Sequence, residues 1–376
     1  MSLKDKYAIA GVGYTPQGKL PDWTVRGLFL EASKNAIEDA GLTAKDIDGI
    51  LVELCWTDPT TQCWSLQADL GIEHTGLCAN YDSMGASAIA KVQLAAMAID
   101  AGLCKAVLCA FVEKSATAPA IPYRASLGAG LAYGFFGAMP GIAMAAQAHM
   151  SKYGTTSRQL GEIAVTQRRH ACLNPIAQMR TPITIEDHQN SRMIAAPLHL
   201  LDCCLVSDGG RALVVTSAER AKSLRHPPVY IIGMGQGHVI LDLPERPDML
   251  DCGAKRSGET AFRMAGVTHK DLDFLELYDA TTYNIITQLE ELGFCKRGEG
   301  GPFVEGWRLA IDGELPTNTS GGMLSEAYLQ GWTGLIEVVR QLRGDCGERQ
   351  VKDAKIGMVT NQGGFIGFHS TLILRR

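Results

Sequence analysis

Several groupings of side chains in this chain could do chemistry, and they differ in how much they specify. Gly11-Val12-Gly13 and Gly233-Met234-Gly235 each follow an apolar run, as phosphate-cradling turns do. The last glycine of a GxGxxG fingerprint is replaced by Pro16 in one and His238 in the other, so tight turns at strand ends are the better reading. Gly85-Ala86-Ser87-Ala88-Ile89 lacks the final glycine of a nucleophile elbow, and no GxxxxGK[ST] occurs. Eleven cysteines include no CxxC pair, and Cys203-Cys204 are adjacent, so zinc spacings are missing and no metal is expected. Two segments are more specific: Glu276-Leu277-Tyr278-Asp279, closing an apolar strand, and Asn318-Thr319-Ser320-Gly321-Gly322-Met323-Leu324-Ser325-Glu326-Ala327-Tyr328, running into a helix.

The elements that must position these segments come in two matching sets. Residues 40–51, AGLTAKDIDGIL, recur as 265–276, AGVTHKDLDFLE, with six of twelve positions identical at a constant offset of 225. Each copy is preceded by an apolar strand and a helix, and runs into a short apolar strand of the kind buried on both faces. Later in each half a Gly/Ser-rich turn feeds a helix, 86–101 in the first and about 331–342 in the second, followed by strands from 106 and 355. Alternating strands and helices predict an α/β protein of two pseudo-symmetric halves, 1–226 and 227–376, meeting near Pro227-Pro228. The first half carries an insertion, about 115–199, holding a polar helix at 157–172 and an irregular stretch at 174–196. Insertions of this size on a repeated scaffold commonly carry substrate contacts.

With 35 Lys+Arg against 40 Asp+Glu, a net charge of −5 and 46% hydrophobic residues, the chain has material for a large core and no electrostatic footprint for nucleic acid. The odd cysteine count and an N-terminus without an apolar leader predict reduced thiols and a cytoplasmic protein. Residues 125–148 carry no charge but hold five glycines and Pro140, which predicts a packed Ala/Gly segment, not a membrane span.

The two specific segments resemble the C-terminal motifs of thiolases of the sterol-carrier-protein type, roughly ExHDxF and NPSGGxxxxGHPxGATG. Further matches include Ser191-Arg192-Met193, Leu201-Asp202-Cys203-Cys204, Ser207-Asp208-Gly209-Gly210 and Asn361-Gln362-Gly363-Gly364. The resemblance implies the five-layered αβαβα thiolase fold. Thiolases attack a thioester with a cysteine in a CxSG turn at a helix N-terminus; counting back from Gly102 puts Gly85 at that position. Tyr278 takes the place of the HD histidine and Tyr328 that of the GHP histidine. The HNxGxGG motif reads Thr360-Asn361-Gln362-Gly363, without its histidine.

Those departures resemble one subgroup, the cysteine-less thiolase-like aldolases that cleave steroid side chains. The resemblance implies retro-aldol cleavage of a β-hydroxyacyl-CoA with Tyr278 and Tyr328 as acid and base. Gly85, Asp279, Gly363 and Gly364 would position substrate or supply oxyanion donors, with Asp279 alternatively orienting a backbone turn. A glycine at 85 is also expected to leave room for a bulky β-carbon, and the apolar insertion to favour bulky apolar cargo. Arg168, Arg169, Arg180 and Arg192 are candidates for the CoA phosphates. No cofactor is expected beyond the coenzyme A of the substrate. The implied partners are a second copy of the chain and a small OB-fold, zinc-ribbon acyl-CoA-associated protein, together a heterotetramer. Two alternatives stay open: an acyltransferase with a displaced nucleophile (Asp82, Ser83 or Cys78), or a non-catalytic thiolase-like subunit.

Overall fold

The computed structural model describes residues 3–55, 57–118, 135, 137–241 and 243–376. The first half runs β1 (Tyr7–Tyr14), α1 (Val25–Asp39), β2 (Gly49–Val52), α2 (Cys63–Leu70), β3 (Leu77–Asn80), α3 (Ser87–Asp100) and β4 (Ala106–Lys114). The insertion contributes α4 (Ala138–Tyr153), α5 (Ser157–Cys172), α6 (Ile185–Asn190), β5 (Met193–Ala195) and β6 (Leu198–His199), before β7 (Asp208–Ser217) and α7 (Ala218–Ala221). The rest comprises β8 (Val229–His238), α8 (Ala254–Ala265), β9 (Phe274–Glu276), α9 (Thr282–Glu291), α10 (Gly300–Phe303), α11 (Gly322–Ser325), α12 (Trp332–Arg343), β10 (Ile356–Gly363) and β11 (Phe368–Arg375).

Nine strands form one mixed sheet ordered β3-β2-β4-β7-β1-β8-β11-β10-β9. The order is a mirror: β1 and β8 meet through only two residue pairs, Ala8 with Tyr230 and Ile9 with Val229. Away from that seam each side continues antiparallel and then parallel, and Thr317 bridges Leu275 of β9 where β3 lies beside β2. The sequence repeat survives as repeated bonding. Thr43 and Thr268 accompany Asp46 and Asp271 in matching capping boxes. Asp48 accepts the amides of Lys105 and Ala106, and Asp273 those of Lys355 and Ile356, so each aspartate anchors the start of the adjoining parallel strand.

The layering follows from which faces are apolar. Helices α3 and α12 are buried on nearly all sides, and Ile89, Val92 and Ala96 pack with Trp332, Leu335, Val338 and Val339 in a core shared by strands of both halves. Helix α1 covers the outer face of one half of the sheet and α8 that of the other, with α3 and α12 packed between the halves, so the order of layers is helix, half-sheet, helices, half-sheet, helix. The paired glycines are corrected here: they lie inside β1 and β8 and are not turns. A Cβ at Gly13 would stand 2.2 Å from the Ala32 carbonyl oxygen, and one at Gly235 would stand 1.9 Å from that of Ser257, so these glycines let helices seat directly on the strands.

The stretch at 174–196 is less irregular than expected. It holds α6, whose start is capped by Thr184, and the strand β5 paired with β6. Of the uncharged segment at 125–148, residues 125–134 lie outside the described residues, and 138–148 open the helix α4. No helix among the described residues is long and apolar enough to cross a membrane.

Candidate active site

The two specific segments converge at the sheet edge where both central helices begin. Tyr278 follows β9, and its backbone is clamped on both sides: its N–H donates to Thr360 Oγ1 at 3.2 Å, and its carbonyl accepts from Gln288 Nε2 at 2.7 Å. Thr360 in turn donates to Gln288 Oε1 at 2.6 Å. Asn318 ties the second segment to the first, accepting the Leu277 N–H at 2.7 Å and donating to the Leu277 carbonyl at 2.9 Å. This requires Asn318 at φ +55°, a conformation asparagine tolerates.

His170 of α5 holds that turn from behind. The Ile311 N–H can only donate, so His170 Nε2 accepts it at 3.1 Å and Nδ1 carries the proton given to the Asn318 carbonyl, also at 3.1 Å. Burial pushes this imidazole down to about 4, so it stays neutral.

Asp279 is buried and accepts the N–H groups of Met323 at 3.0 Å and Leu324 at 3.3 Å, orienting the turn that leads to Tyr328. Burial pushes its carboxyl up to about 7 against those two amides. Gly322 is required beside it, since a Cβ there would stand 2.1 Å from Asp279 Oδ2. Tyr328 is held by its own N–H, which donates to Ser207 Oγ at 3.0 Å. The outcome is two phenol oxygens 3.5 Å apart, Tyr278 buried and Tyr328 half-buried, at the outer limit of a hydrogen bond.

Gly85 forms the opposite wall. A Cβ at this residue would stand 2.4 Å from the Tyr278 hydroxyl and 2.2 Å from the Gln362 carbonyl oxygen. The expected room for a bulky β-carbon is therefore absent at Gly85: the Tyr278 phenol fills the volume a nucleophile's side chain would need. Gly363 packs against the same turn, where its Cβ would stand 2.9 Å from both Gly85 N and Ala86 N. Gly364, at φ +57°, turns the chain out of β10. The starts of both central helices lie near Tyr278, α3 two residues after Gly85 and α12 just after Gly331, whose Cβ would stand 3.1 Å from the Tyr278 ring.

The thiolase C-terminal domain-like family matches residues 235–376. A steroid side-chain-cleaving aldolase of Thermomonospora curvata is 39% identical over 90% of both chains. The chain belongs to the thiolase-like aldolases. An Mycobacterium tuberculosis protein named 17-hydroxy-3-oxo-4-pregnene-20-carboxyl-CoA lyase is 37% identical over 91% of this aldolase-like chain and 92% of its own. An acetyl-CoA acetyltransferase of Methanothermobacter thermautotrophicus is 35% identical over 98% and 99%. A solved Ltp2–ChsH2(DUF35) aldolase superposes with TM-score 0.91 at 37% identity, covering 99% of this chain and 98% of that one.

The three alternative nucleophile candidates of this thiolase-like aldolase all lie among the described residues. Burial and a hydrogen bond to Cys63 push the Cys78 thiol up to about 12. Asp82 is exposed and accepts the Met84 N–H, while Ser83 Oγ is buried without a partner among the described residues. Cys204, which sequence reasoning left aside, packs with Tyr328 against the small cluster of Tyr278, Ala280 and Met323; burial holds its thiol far above the ordinary range.

The four arginines differ in exposure. Arg168 is buried, donating to Ser325 Oγ at 2.9 Å and the Thr181 carbonyl at 3.1 Å, which links α5 to α11. Arg169 is exposed, paired with Asp312 and lying over Trp307; Arg180 and Arg192 are exposed. Among the described residues His188, His199 and Asp202 bring possible metal-ligand atoms within 4.8 Å of one another. His188 Nε2 is 2.7 Å from Asp202 Oδ1, which also accepts from Thr282 Oγ1 at 2.6 Å. That spacing fits a hydrogen bond, whereas tetrahedral zinc spreads its ligands to about 3.3 Å.

Proposed function

We propose that this thiolase-like aldolase, a carbon–carbon lyase, performs retro-aldol cleavage of a β-hydroxyacyl-CoA whose β-carbon sits on a bulky, steroid-like ring system. Tyr278 and Tyr328 act as its acid–base pair, and no acyl-enzyme forms. The observation that carries this reading is the phenol pair at 3.5 Å beside a glycine whose missing side chain is replaced by one of those phenols.

The chemistry balances on two phenols. One, as phenolate, takes the β-hydroxyl proton; the alkoxide becomes a carbonyl as the Cα–Cβ bond breaks, and the electron pair passes into the thioester enolate. The other phenol protonates Cα, releasing the shortened acyl-CoA, and a proton crossing between the two oxygens restores the starting state. An unperturbed phenol titrates near 10, so forming phenolate at neutral pH costs about 4 kcal/mol. The starts of α3 and α12 near Tyr278, each worth about 1 and up to about 2 kcal/mol to a nearby anion, would offset part of that. Gly363 crowds the Gly85 and Ala86 amides, so the role we assign Gly85, Gly363 and Gly364 is close packing around the phenols, with Asp279 holding the Tyr328 turn.

Support for the substrate class comes from the names of the two lyase relatives, and for a DUF35-type partner from the name of the solved aldolase complex. Arg169, Arg180 and Arg192 remain our candidates for the CoA phosphates. The chain is proposed to dimerise and to work in the cytoplasm, where its eleven free thiols stay reduced.

The test is release of a short acyl-CoA plus a ketone from a panel of β-hydroxyacyl-CoAs, with the DUF35-type partner co-expressed. Cleavage without added CoA, falling at least about 100-fold in Tyr328→Phe, is expected if the phenol supplies acid–base catalysis. Turnover that demands free CoA and survives Tyr328→Phe would instead match the acetyltransferase relative and overturn the lyase reading.

A further inference from the structure

The two phenols belong to different loops, and something must set their separation. Tyr278 leans against Gly85, which precedes α3, while Tyr328 lies just ahead of Gln330-Gly331, which precede α12. One side chain touches both of these junctions. Asn361 of β10 is fully buried, and its Nδ2 donates to the Gly85 carbonyl at 2.9 Å and to the Gln330 carbonyl at 3.2 Å.

The surroundings are built to bring that amide in. Gln330 and Gly331 both adopt positive φ, +49° and +81°, and a Cβ at Gly331 would stand 1.8 Å from Asn361 Nδ2. The other amide atom, Oδ1, is buried with no hydrogen-bond partner among the described residues. Burying an amide acceptor unpaired is costly. What the residue supplies in return is a pair of N–H bonds, one to each loop, which no aliphatic side chain could make.

We propose that Asn361 is a positioning residue that sets the distance between the Tyr278 and Tyr328 oxygens by pinning one backbone carbonyl just ahead of each central helix. Its two hydrogen bonds go to backbone carbonyls. It acts by fixing the two backbones from which the phenols reach the site. The inference rests on the acid–base reading of the two tyrosines for its catalytic meaning, but its geometric content stands apart from that reading.

The test compares wild type, Asn361→Ala and Asn361→Asp with Ser370→Ala. Ser370 donates to the Ala86 carbonyl at 2.9 Å, so its loss removes a buried hydrogen bond to the same turn without touching the α12 side. Each protein is assayed for kcat and KM on the best β-hydroxyacyl-CoA. Each is also titrated by tyrosinate ultraviolet absorbance against the same protein carrying Tyr278→Phe, which isolates that phenol. A displacement of about 1 Å costs up to about 100-fold, so both Asn361 variants should lose kcat by 10- to 100-fold with KM within about threefold. Their isolated phenol titration should shift, whereas Ser370→Ala should match wild type in kcat and titration. If the folded Asn361 variants keep both wild-type kcat and wild-type titration, or Ser370→Ala reproduces their loss, the inference is overturned. If wild type cleaves no β-hydroxyacyl-CoA but the titration still shifts only in the Asn361 variants, the lyase reading fails and the positioning role holds.

Discussion

At the scale of single residues, the absence of a nucleophile and the presence of a phenol are one steric fact. A Cβ at Gly85 falls 2.4 Å from the Tyr278 hydroxyl and 2.2 Å from the Gln362 carbonyl oxygen, distances real Cβ atoms do not adopt. Gly85→Ala must therefore push the phenol away or open the junction between β10 and α3. We expect it to fold with a loss of about 1–3 kcal/mol in denaturant unfolding, as overpacked sites do, and to lose about 100-fold in kcat. Gly85→Cys should gain no thiolysis, because its sulfur would compete with the phenol for one volume; detectable CoA-dependent acyl transfer by that variant would contradict the argument. The glycine, both tyrosines and Asp279 were legible in the sequence because motif register carries residue type. That the phenol occupies the glycine's missing side chain was not legible, since positions 85 and 278 meet only through the fold. Asn361 and Cys204 lay inside quoted motifs, but nothing in their spacing announces a neighbour across the site.

At the scale of elements, periodicity served well where burial is one-sided or complete over a long run. The helices α3 and α12, and the starts of the strands that follow them, stand within a residue or two of the expected positions. The short pieces α6, β5 and β6 are held by Thr184 capping and by pairing of three residues with two, too little pattern to read from sequence. The tie between β2 and α3 is likewise hidden in sequence. Lys91 and Glu53 are fully buried with Nζ to Oε2 at 3.0 Å; Lys91 also donates to the Ala110 carbonyl and lies over the Trp332 ring. Burial pushes the Glu53 carboxyl up to about 7 although Lys91 pulls it down. Removing one partner strands the other: Lys91→Met should cost about 3–5 kcal/mol, and Lys91→Met with Glu53→Gln should recover most of it. A raised folded value means stability present at low pH and lost as pH rises, so the single variant's deficit in urea unfolding should grow between about pH 6 and pH 8. A deficit that is flat over that range, or undiminished in the double variant, would show that the pair does not carry the junction.

At the scale of the whole molecule, duplication explains why a site exists where it does. Two copies of one α/β unit meet along β1 and β8, which lays α3 and α12 side by side and points both N-termini at the sheet edge where the loops after β9 and before α12 converge. The insertion then braces that edge from outside through His170, whose neutral ring links Ile311 to Asn318. This brace has a cost in acid. Folding lowers the His170 value to about 4, so between the unfolded value near 6.5 and about 4 the unfolded chain binds a proton that the folded chain refuses. Stability attributable to this group is therefore intact above about pH 6.5 and lost as pH falls, reaching about 2 kcal/mol at about pH 5. His369, pushed down to about 3, has the same sign; Glu53 and Asp279, pushed up to about 7, have the opposite one. His170→Gln keeps one donor and one acceptor for Asn318 and Ile311 but cannot titrate, and leaves the other three groups in place. Urea unfolding of both proteins at about pH 7.5 and about pH 5 should show the wild type losing about 2 kcal/mol more than the variant on acidification. Equal losses would mean that the ring is protonated in the folded protein, and that the Asn318 turn is held by some contact other than a neutral imidazole.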